Sequence, residues 1–91
     1  MQPSVRRRRA PASLMELRQG EQGILDHLDL PEDVSRRLME LGFVPGSPIV
    51  AALSAPGGDP RVFQVDGAEI ALRRDTAACL KLRPAASAAA D

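Results

Sequence analysis

The chain has a single histidine, His27, which is flanked by Asp26 and Asp29. Imidazole and carboxylate groups can bind a transition-metal ion, but such a site usually takes several of them on one rigid element. No further ligand lies at that spacing, so these side chains make at most a weak surface site. The sequence predicts an ordinary exposed histidine, with His27 as only a weak candidate for metal binding.

Catalysis by acid, base or nucleophile requires side chains that converge on one site. The single histidine and the single cysteine, Cys79, fall in different predicted strands, and neither lies in a recognisable motif. The nucleotide-binding pattern G-x-x-x-x-G-K-[S/T] is also absent. We therefore predict no catalytic residue, no cofactor and no small-molecule substrate.

Three residues near the end of a predicted helix are candidates for contact with a partner protein. Met39 and Phe43 lie beside the apolar stripe of that helix rather than on it, and Val44 follows them. A flexible methionine next to an aromatic residue at a helix end is typical of a contact surface. The alternative is that this segment only turns the chain from helix to strand.

The loop Gly-Gly-Asp-Pro at residues 57–60 joins two predicted strands and does not open onto a helix, so it is not a phosphate-binding loop. As the tip of a long hairpin, Gly58, Asp59 and Pro60 are further candidates for contact with a partner. The alternative is a plain turn.

Positive charge is concentrated near the N-terminus, where Arg6, Arg7, Arg8 and Arg9 follow one another. Basic and acidic residues number 12 each, so the rest of the chain is net acidic. A net acidic domain argues against a basic face that follows phosphates. The arginine run is a candidate contact to an anionic membrane surface, with non-specific RNA binding as an equal alternative.

Composition excludes several other classes of protein. The 91 residues leave room for one small domain. Phe43 and Phe63 are the only aromatic residues, which excludes the stacking platforms of single-strand binders and the aromatic grooves that bind proline-rich peptides. A single cysteine forms no intramolecular disulfide, and no apolar run is long enough to span a membrane. We expect a cytoplasmic protein that works at the inner face of the cell membrane if its arginine run binds lipid.

One helix is predicted in the first half of the domain. Asp29 and Glu32 resemble a capping box, and Val34, Leu38 and Leu41 then recur on one apolar stripe. The glycine at position 42 is expected to end this helix in a left-handed conformation.

Short strands are predicted on both sides of the helix, at residues 14–18, 23–28 and 79–83 and in alternating runs from residue 49 to residue 72. The strand at 23–28 needs a bulge or an early end, because its apolar residues Ile24 and Leu28 are four apart. Asp66-Gly67 between two alternating runs predicts a type I′ hairpin. The residues expected to share a face of their strands are Ile49, Ala51, Leu53, Phe63, Val65, Ala68, Ile70, Leu72, Leu80 and Leu82.

Five or six short strands with one helix favour a mainly β fold, a small and partly closed antiparallel β-barrel. The domain is predicted to cover residues 13–83, between a disordered arginine-rich arm at 1–12 and a disordered alanine-rich tail at 84–91. An open barrel edge would allow a homo-oligomer.

Three segments in this order resemble the FeoA family: RLMELGFVPG at residues 37–46, APGGDP at 55–60 and ALRRDTAA at 71–78. The resemblance covers residues 14–82 and implies an SH3-like β-barrel with an inserted helix. It also implies an accessory role beside FeoB, the membrane ferrous-iron transporter with a cytosolic G-domain. The arginine run and the alanine-rich tail lie outside the family pattern, so the resemblance implies nothing about them.

The sequence and the resemblance together predict a non-enzymatic protein of ferrous-iron uptake that docks on the cytosolic part of FeoB. The alternative is a free-standing regulatory domain of the repressor type, or a small barrel that binds nucleic acid through its arginine-rich arm. Steep salt dependence of RNA binding would favour that alternative.

Overall fold

The computed structural model of the chain describes residues 10–84. Its regular elements are β1 (Gln22–Leu28), α1 (Glu32–Glu40), β2 (Pro48–Ala51), β3 (Arg61–Val65), β4 (Ala68–Leu72), α2 (Arg74–Ala77) and β5 (Leu80–Leu82). The strands pair antiparallel in one sheet of order β4-β3-β2-β1-β5. The predicted mainly β architecture with one inserted helix between strands is confirmed. The predicted arm and tail fall almost wholly outside the described residues, so the domain boundaries stay predictions.

The hydrophobic core draws side chains from every strand and from both helices. Its fully buried members include both phenylalanines of the chain, Phe43 and Phe63. Leu80 and Leu82 point inward from β5, as alternation predicts. No helix within residues 10–84 has the length and apolar character needed to cross a lipid bilayer.

The segment before β1 is not the strand predicted for residues 14–18. Residues Leu14–Glu16 form a turn of 3₁₀-helix, and both Leu14 and Leu17 are buried. The 3₁₀-helix has three residues per turn, so side chains three apart point the same way. The same apolar pair would lie on opposite faces of a strand.

β1 contains the irregularity that its sequence predicts. Its pairing with β5 shifts register between Leu25 and His27. Leu25 is fully buried while Ile24 and Leu28 are half-buried. The shift leaves two successive residues, Asp26 and His27, exposed and returns Leu28 to the side of the core.

α1 begins at Glu32, and the predicted capping box is wrong. Pro31 occupies the N-cap position, and no side chain caps the helix. The amide of Asp29 donates instead to the carbonyl of Cys79 at 2.8 Å, which extends the contact between β1 and β5. Asp29 is therefore held by the sheet and lies too early in the chain to cap the helix.

The apolar stripe predicted for α1 is wrong at its last position. Leu38 is buried and Val34 half-buried, but Leu41 is 47% exposed. Gly42, with φ of +115°, turns the chain directly after Leu41, and Phe43 enters the core in its place. The left-handed glycine is confirmed, and it is the reason that Phe43 is buried and Leu41 is not.

The strands after α1 confirm the predicted hairpin. Asp66 and Gly67 have φ of 51° and 81°, as a type I′ turn requires. Leu53, expected to share a face with Ile49 and Ala51, is 68% exposed although they are buried, because β2 ends at Ala51. A short helix, α2, follows β4 where no helix was predicted.

Arg61, at the start of β3, joins the segment before β1 to the sheet by hydrogen bonds. Its Nη1 donates to the carbonyl of Met15 and its Nη2 to that of Leu17, both at 2.8 Å. The guanidinium carbon also lies 5.5 Å from the centroid of the Phe63 ring. One side chain thus satisfies two carbonyls at the end of the 3₁₀ turn.

Arg61→Ala is expected to lower the free energy of unfolding by about 2 kcal/mol, because it leaves two partly buried carbonyls without a donor. Urea unfolding measures the loss. Arg36→Ala is the matched control, since Arg36 forms only an exposed ion pair with Glu32, worth less than about 0.5 kcal/mol. Equal losses in the two variants would contradict the role given to Arg61.

Candidate functional site

A groove lies between the end of α1, the start of β2 and the turn that joins β3 to β4. Its volume is about 420 Å³. Its lining residues are Met39, Glu40, Gly42, Val44, Ser47, Pro48 and Asp66. We call it the α1–β2 groove. It contains two of the three contact residues predicted at the helix end.

Local backbone geometry shapes this groove. The amide of Gly42 donates to the carbonyl of Met39 at 3.0 Å, which closes the last turn of the helix. A Cβ at position 42 would lie 3.2 Å from the Cβ of Asp66. The helix end and the β3–β4 turn therefore approach each other as closely as they do only because a glycine stands between them.

The far wall of the groove is a tight turn at residues 44–47. The amide of Ser47 donates to the carbonyl of Val44 at 3.0 Å, and Gly46 has φ of +93°. The amide of Gly46 also donates to the carbonyl of Leu25 at 2.7 Å. This bond joins the turn that carries Val44 to β1.

The groove exposes apolar side chains at its rim. Met39 and Val44 are each 38% exposed, and Leu41 beside them is 47% exposed. Phe43, predicted as the third contact residue, is 0% exposed. Its candidacy is wrong, because the turn at Gly42 directs its ring into the core and away from any partner.

Two carboxylates lie among these apolar side chains. Glu40 at the end of α1 and Asp66 in the β3–β4 turn both line the groove and are exposed. Neither forms an ion pair with a side chain of residues 10–84. An apolar groove with a negative rim suits an apolar side chain that has lysine or arginine beside it.

The hairpin-tip candidates lie apart from the groove. Asp59 is exposed, and its Oδ1 accepts a hydrogen bond from the amide of Arg74 at 3.0 Å. This bond caps the first turn of α2 from a distant loop, which gives Asp59 a structural role. Gly58 and Pro60 are half-buried, and neither lines the groove. A contact between this tip and a partner stays a prediction.

His27 is exposed, and its Nδ1 lies 2.6 Å from Oδ2 of Asp26. Within residues 10–84, no three histidine, cysteine, aspartate or glutamate side chains come together as a metal site. The arginine run at residues 6–9 lies outside the described residues, so its contact with an anionic membrane stays a prediction.

The comparison that decides the family is a match of the FeoA domain model to residues 12–84. The chain belongs to the FeoA family. A FeoA protein from Chlorobium tepidum is 30% identical with a TM-score of 0.74, and the match covers 79% of this chain and 69% of that one. No protein of curated function matches the chain.

A second FeoA structure, from Stenotrophomonas maltophilia, is 33% identical with a TM-score of 0.71, over 85% of this chain and 94% of that one. It is a zinc complex, described as a prokaryotic SH3 domain protein and a candidate ferrous-iron transport activating factor. Iron(II) transport protein A from Clostridium thermocellum is 28% identical with a TM-score of 0.73, over 81% of this chain and 46% of that one. The SH3-like fold implied by the sequence resemblance is thus confirmed.

Sequence reasoning missed the acidic members of the groove. Glu40 and Asp66 are far apart in the chain, and only the packing of the β3–β4 turn against the end of α1 brings them together. The local signals were present: Gly42 marked the helix end and Asp66-Gly67 marked the turn. Nothing in either pattern indicates that the two turns meet.

Proposed function

We propose that this FeoA protein is a non-enzymatic accessory factor of ferrous-iron transport that docks through its α1–β2 groove on the cytosolic part of the FeoB transporter. Membership of the FeoA family supports a role in ferrous-iron transport. The groove supports docking on a partner protein. The observation that carries the proposal is the exposure of Met39 at the end of α1 and of Val44 in the turn at 44–47, beside two carboxylates. A few well-packed residues near the centre of a contact usually supply much of its affinity.

The occupant of the groove is a segment of the transporter that carries an apolar side chain next to basic residues. The apolar side chain would displace water from Met39 and Val44. The basic residues would approach Glu40 and Asp66, which speeds association and sets the orientation of the segment.

Such docking can regulate the transporter only if the groove binds one nucleotide state more tightly than another. Calorimetric titration of the protein into the cytosolic region of its cognate transporter, with GDP, with a GTP analogue and without nucleotide, tests this. Saturable binding that differs among the three states supports a state-selective regulator. Equal binding in all three would refute the regulatory part of the proposal and leave the docking.

Val44→Asp is expected to weaken this binding at least about tenfold, because a charge would enter the apolar rim beside two carboxylates. Leu53→Asp is the matched control: Leu53 is the most exposed large apolar residue of residues 10–84 and lies outside the groove. We expect the control to bind like the parent protein. If Leu53→Asp weakened binding and Val44→Asp did not, the docking surface would lie elsewhere.

A further inference from the structure

The two edges of the sheet differ in how the chain covers them. At the β5 edge, Lys81 pairs with Ser13, and the amide of Leu82 donates to the carbonyl of Ala12 at 2.9 Å. At the other edge, no segment of residues 10–84 pairs with the outer side of β4. Within residues 10–84, the chain therefore covers the β5 edge and leaves the β4 edge unpaired.

The β3–β4 hairpin sets which backbone groups of β4 face outward. In its type I′ turn the two residues flanking the turn form a hydrogen-bonded pair. Hydrogen-bonded and non-hydrogen-bonded pairs then alternate along the ladder, which runs without a register shift from Ala68 to Leu72. Consequently the amide and carbonyl groups of Glu69 and Ala71 point away from β3.

This edge lacks the features that usually keep strand edges apart, which are proline, lysine and bulges. The one charged side chain of β4, Glu69, accepts a hydrogen bond from Nε2 of Gln64 at 3.1 Å. That bond draws the carboxylate over its own sheet and away from the edge. Within residues 10–84, no hydrogen bond uses the outward groups of Glu69 and Ala71. The edge is available to another strand.

We propose that β4 pairs antiparallel with β4 of a second copy of this chain, about a two-fold axis at Ile70. Glu69 and the second copy's Ala71 then form two backbone hydrogen bonds with each other. The two-fold axis repeats this pair between Ala71 and the second copy's Glu69. Ile70, which packs against the core cluster, meets the second copy's Ile70 in the closely spaced pair between them. The interface joins the same patch on both subunits, as a two-fold dimer requires.

The charges of β4 favour a second copy in this register. An axis at Glu69 would place two carboxylates directly opposite each other, whereas the axis at Ile70 places each carboxylate opposite an alanine. An axis at Ala71 would extend the pairing to Arg73, where the chain leaves the strand to start α2. Only the register at Ile70 uses the outward groups of Glu69 and Ala71 within the strand and avoids like charges.

The dimer is separate from the proposed docking groove. Glu69, Ile70 and Ala71 do not line the groove, and Met39 and Val44 take no part in the strand pairing. A single strand edge buries little surface, so the dimer belongs among weak associations. Failure of the dimer would leave the docking proposal intact, and Val44→Asp would leave the dimer intact.

Sedimentation velocity of the full chain from about 10 μM to about 1 mM is the first test, a range that matches a weak association. We expect a reversible shift from monomer to dimer. Over the same range the amides of Glu69 and Ala71 should become protected from hydrogen exchange. A monomer throughout, with both amides unprotected, would overturn the proposal.

Ala71→Pro removes an outward amide while leaving the hydrogen bonds to β3, and prolines of this kind are tolerated on edge strands. We expect this variant to stay folded and to be monomeric at every concentration. Val44→Asp is the folded control, and it should form the dimer like the parent protein. A dimer that survived Ala71→Pro, or that was lost in Val44→Asp, would place the contact elsewhere.

A pair of charge variants tests the register without proline. Ala71→Lys places an ammonium group opposite the second copy's Glu69 and should tighten the dimer about three- to tenfold. Ala71→Glu places a carboxylate there and should weaken the dimer by a similar factor. The same response to both charges would exclude the axis at Ile70.

Discussion

Replacement of Phe43 by alanine is expected to lower the free energy of unfolding by about 3–5 kcal/mol. The ring is 0% exposed and belongs to the main core cluster. Its removal takes away apolar contacts and leaves a cavity that the surrounding strands can fill only in part. Because small domains are stable by only about 5–15 kcal/mol, much of the population could unfold near physiological temperature. Urea unfolding measures the loss.

Two variants separate this packing role from a role in partner contact. Phe43→Leu keeps most of the side-chain volume and should lose clearly less stability than Phe43→Ala. Met39→Ala alters a residue that is 38% exposed in the groove, and we expect a loss below about 1 kcal/mol. A Phe43→Ala protein with the stability of the parent would show that the ring is not part of the core.

Replacement of Gly42 by alanine is expected to cost about 2–3 kcal/mol. The backbone there has φ of +115°, far from the right-handed conformations that residues with a Cβ prefer. That strain costs about 1–2 kcal/mol by itself. The new Cβ would also lie 3.2 Å from the Cβ of Asp66, so the helix end and the β3–β4 turn would have to separate. Thermal unfolding monitored by circular dichroism measures the total.

Gly57→Ala is the matched control for this prediction. Gly57 also has a positive φ, +86°, but a Cβ there would meet nothing within 4 Å. The control should therefore lose only the conformational part, about 1–2 kcal/mol. If the two variants lost equal stability, the close approach between positions 42 and 66 would contribute nothing.

The groove and the β4 edge give this small domain two separate surfaces. The proposed docking depends on side chains of the α1–β2 groove, whereas the proposed pairing depends on backbone groups of β4. A dimer would present two grooves at once. Two linked grooves can hold a dimeric or clustered partner more tightly than one groove does, without any additional contact.

Local patterns in the sequence predicted the turns correctly. Asp66-Gly67 was expected as a type I′ hairpin and Gly42 as a left-handed helix end, and both have the φ values that these roles require. The register shift in β1 likewise agrees with the bulge or early end that the spacing of its apolar residues predicts. These features depend on the conformations open to a few neighbouring residues, which the residue types themselves restrict.

Burial at the ends of elements was predicted less well. The helical period predicted that Leu41 would be buried and that Phe43 would lie beside the apolar stripe. The turn at Gly42 brings Phe43 inward instead. Leu53 likewise follows the period of β2 but lies beyond its last paired residue. The spacing of apolar residues indicates which of them share a face of a helix or strand, but it does not indicate at which residue the element ends.

By itself, the sequence determined the mainly β fold with an inserted helix, the principal turns, the FeoA resemblance and two of the groove residues, Met39 and Val44. Tertiary structure alone decided that Glu40 and Asp66 meet in one groove and that residues 10–84 cover the β5 edge but not the β4 edge. Turn and strand propensities are local, so neighbouring residues reveal them. Grooves and edges depend on which distant segments pack together, and that is settled only when the whole core forms.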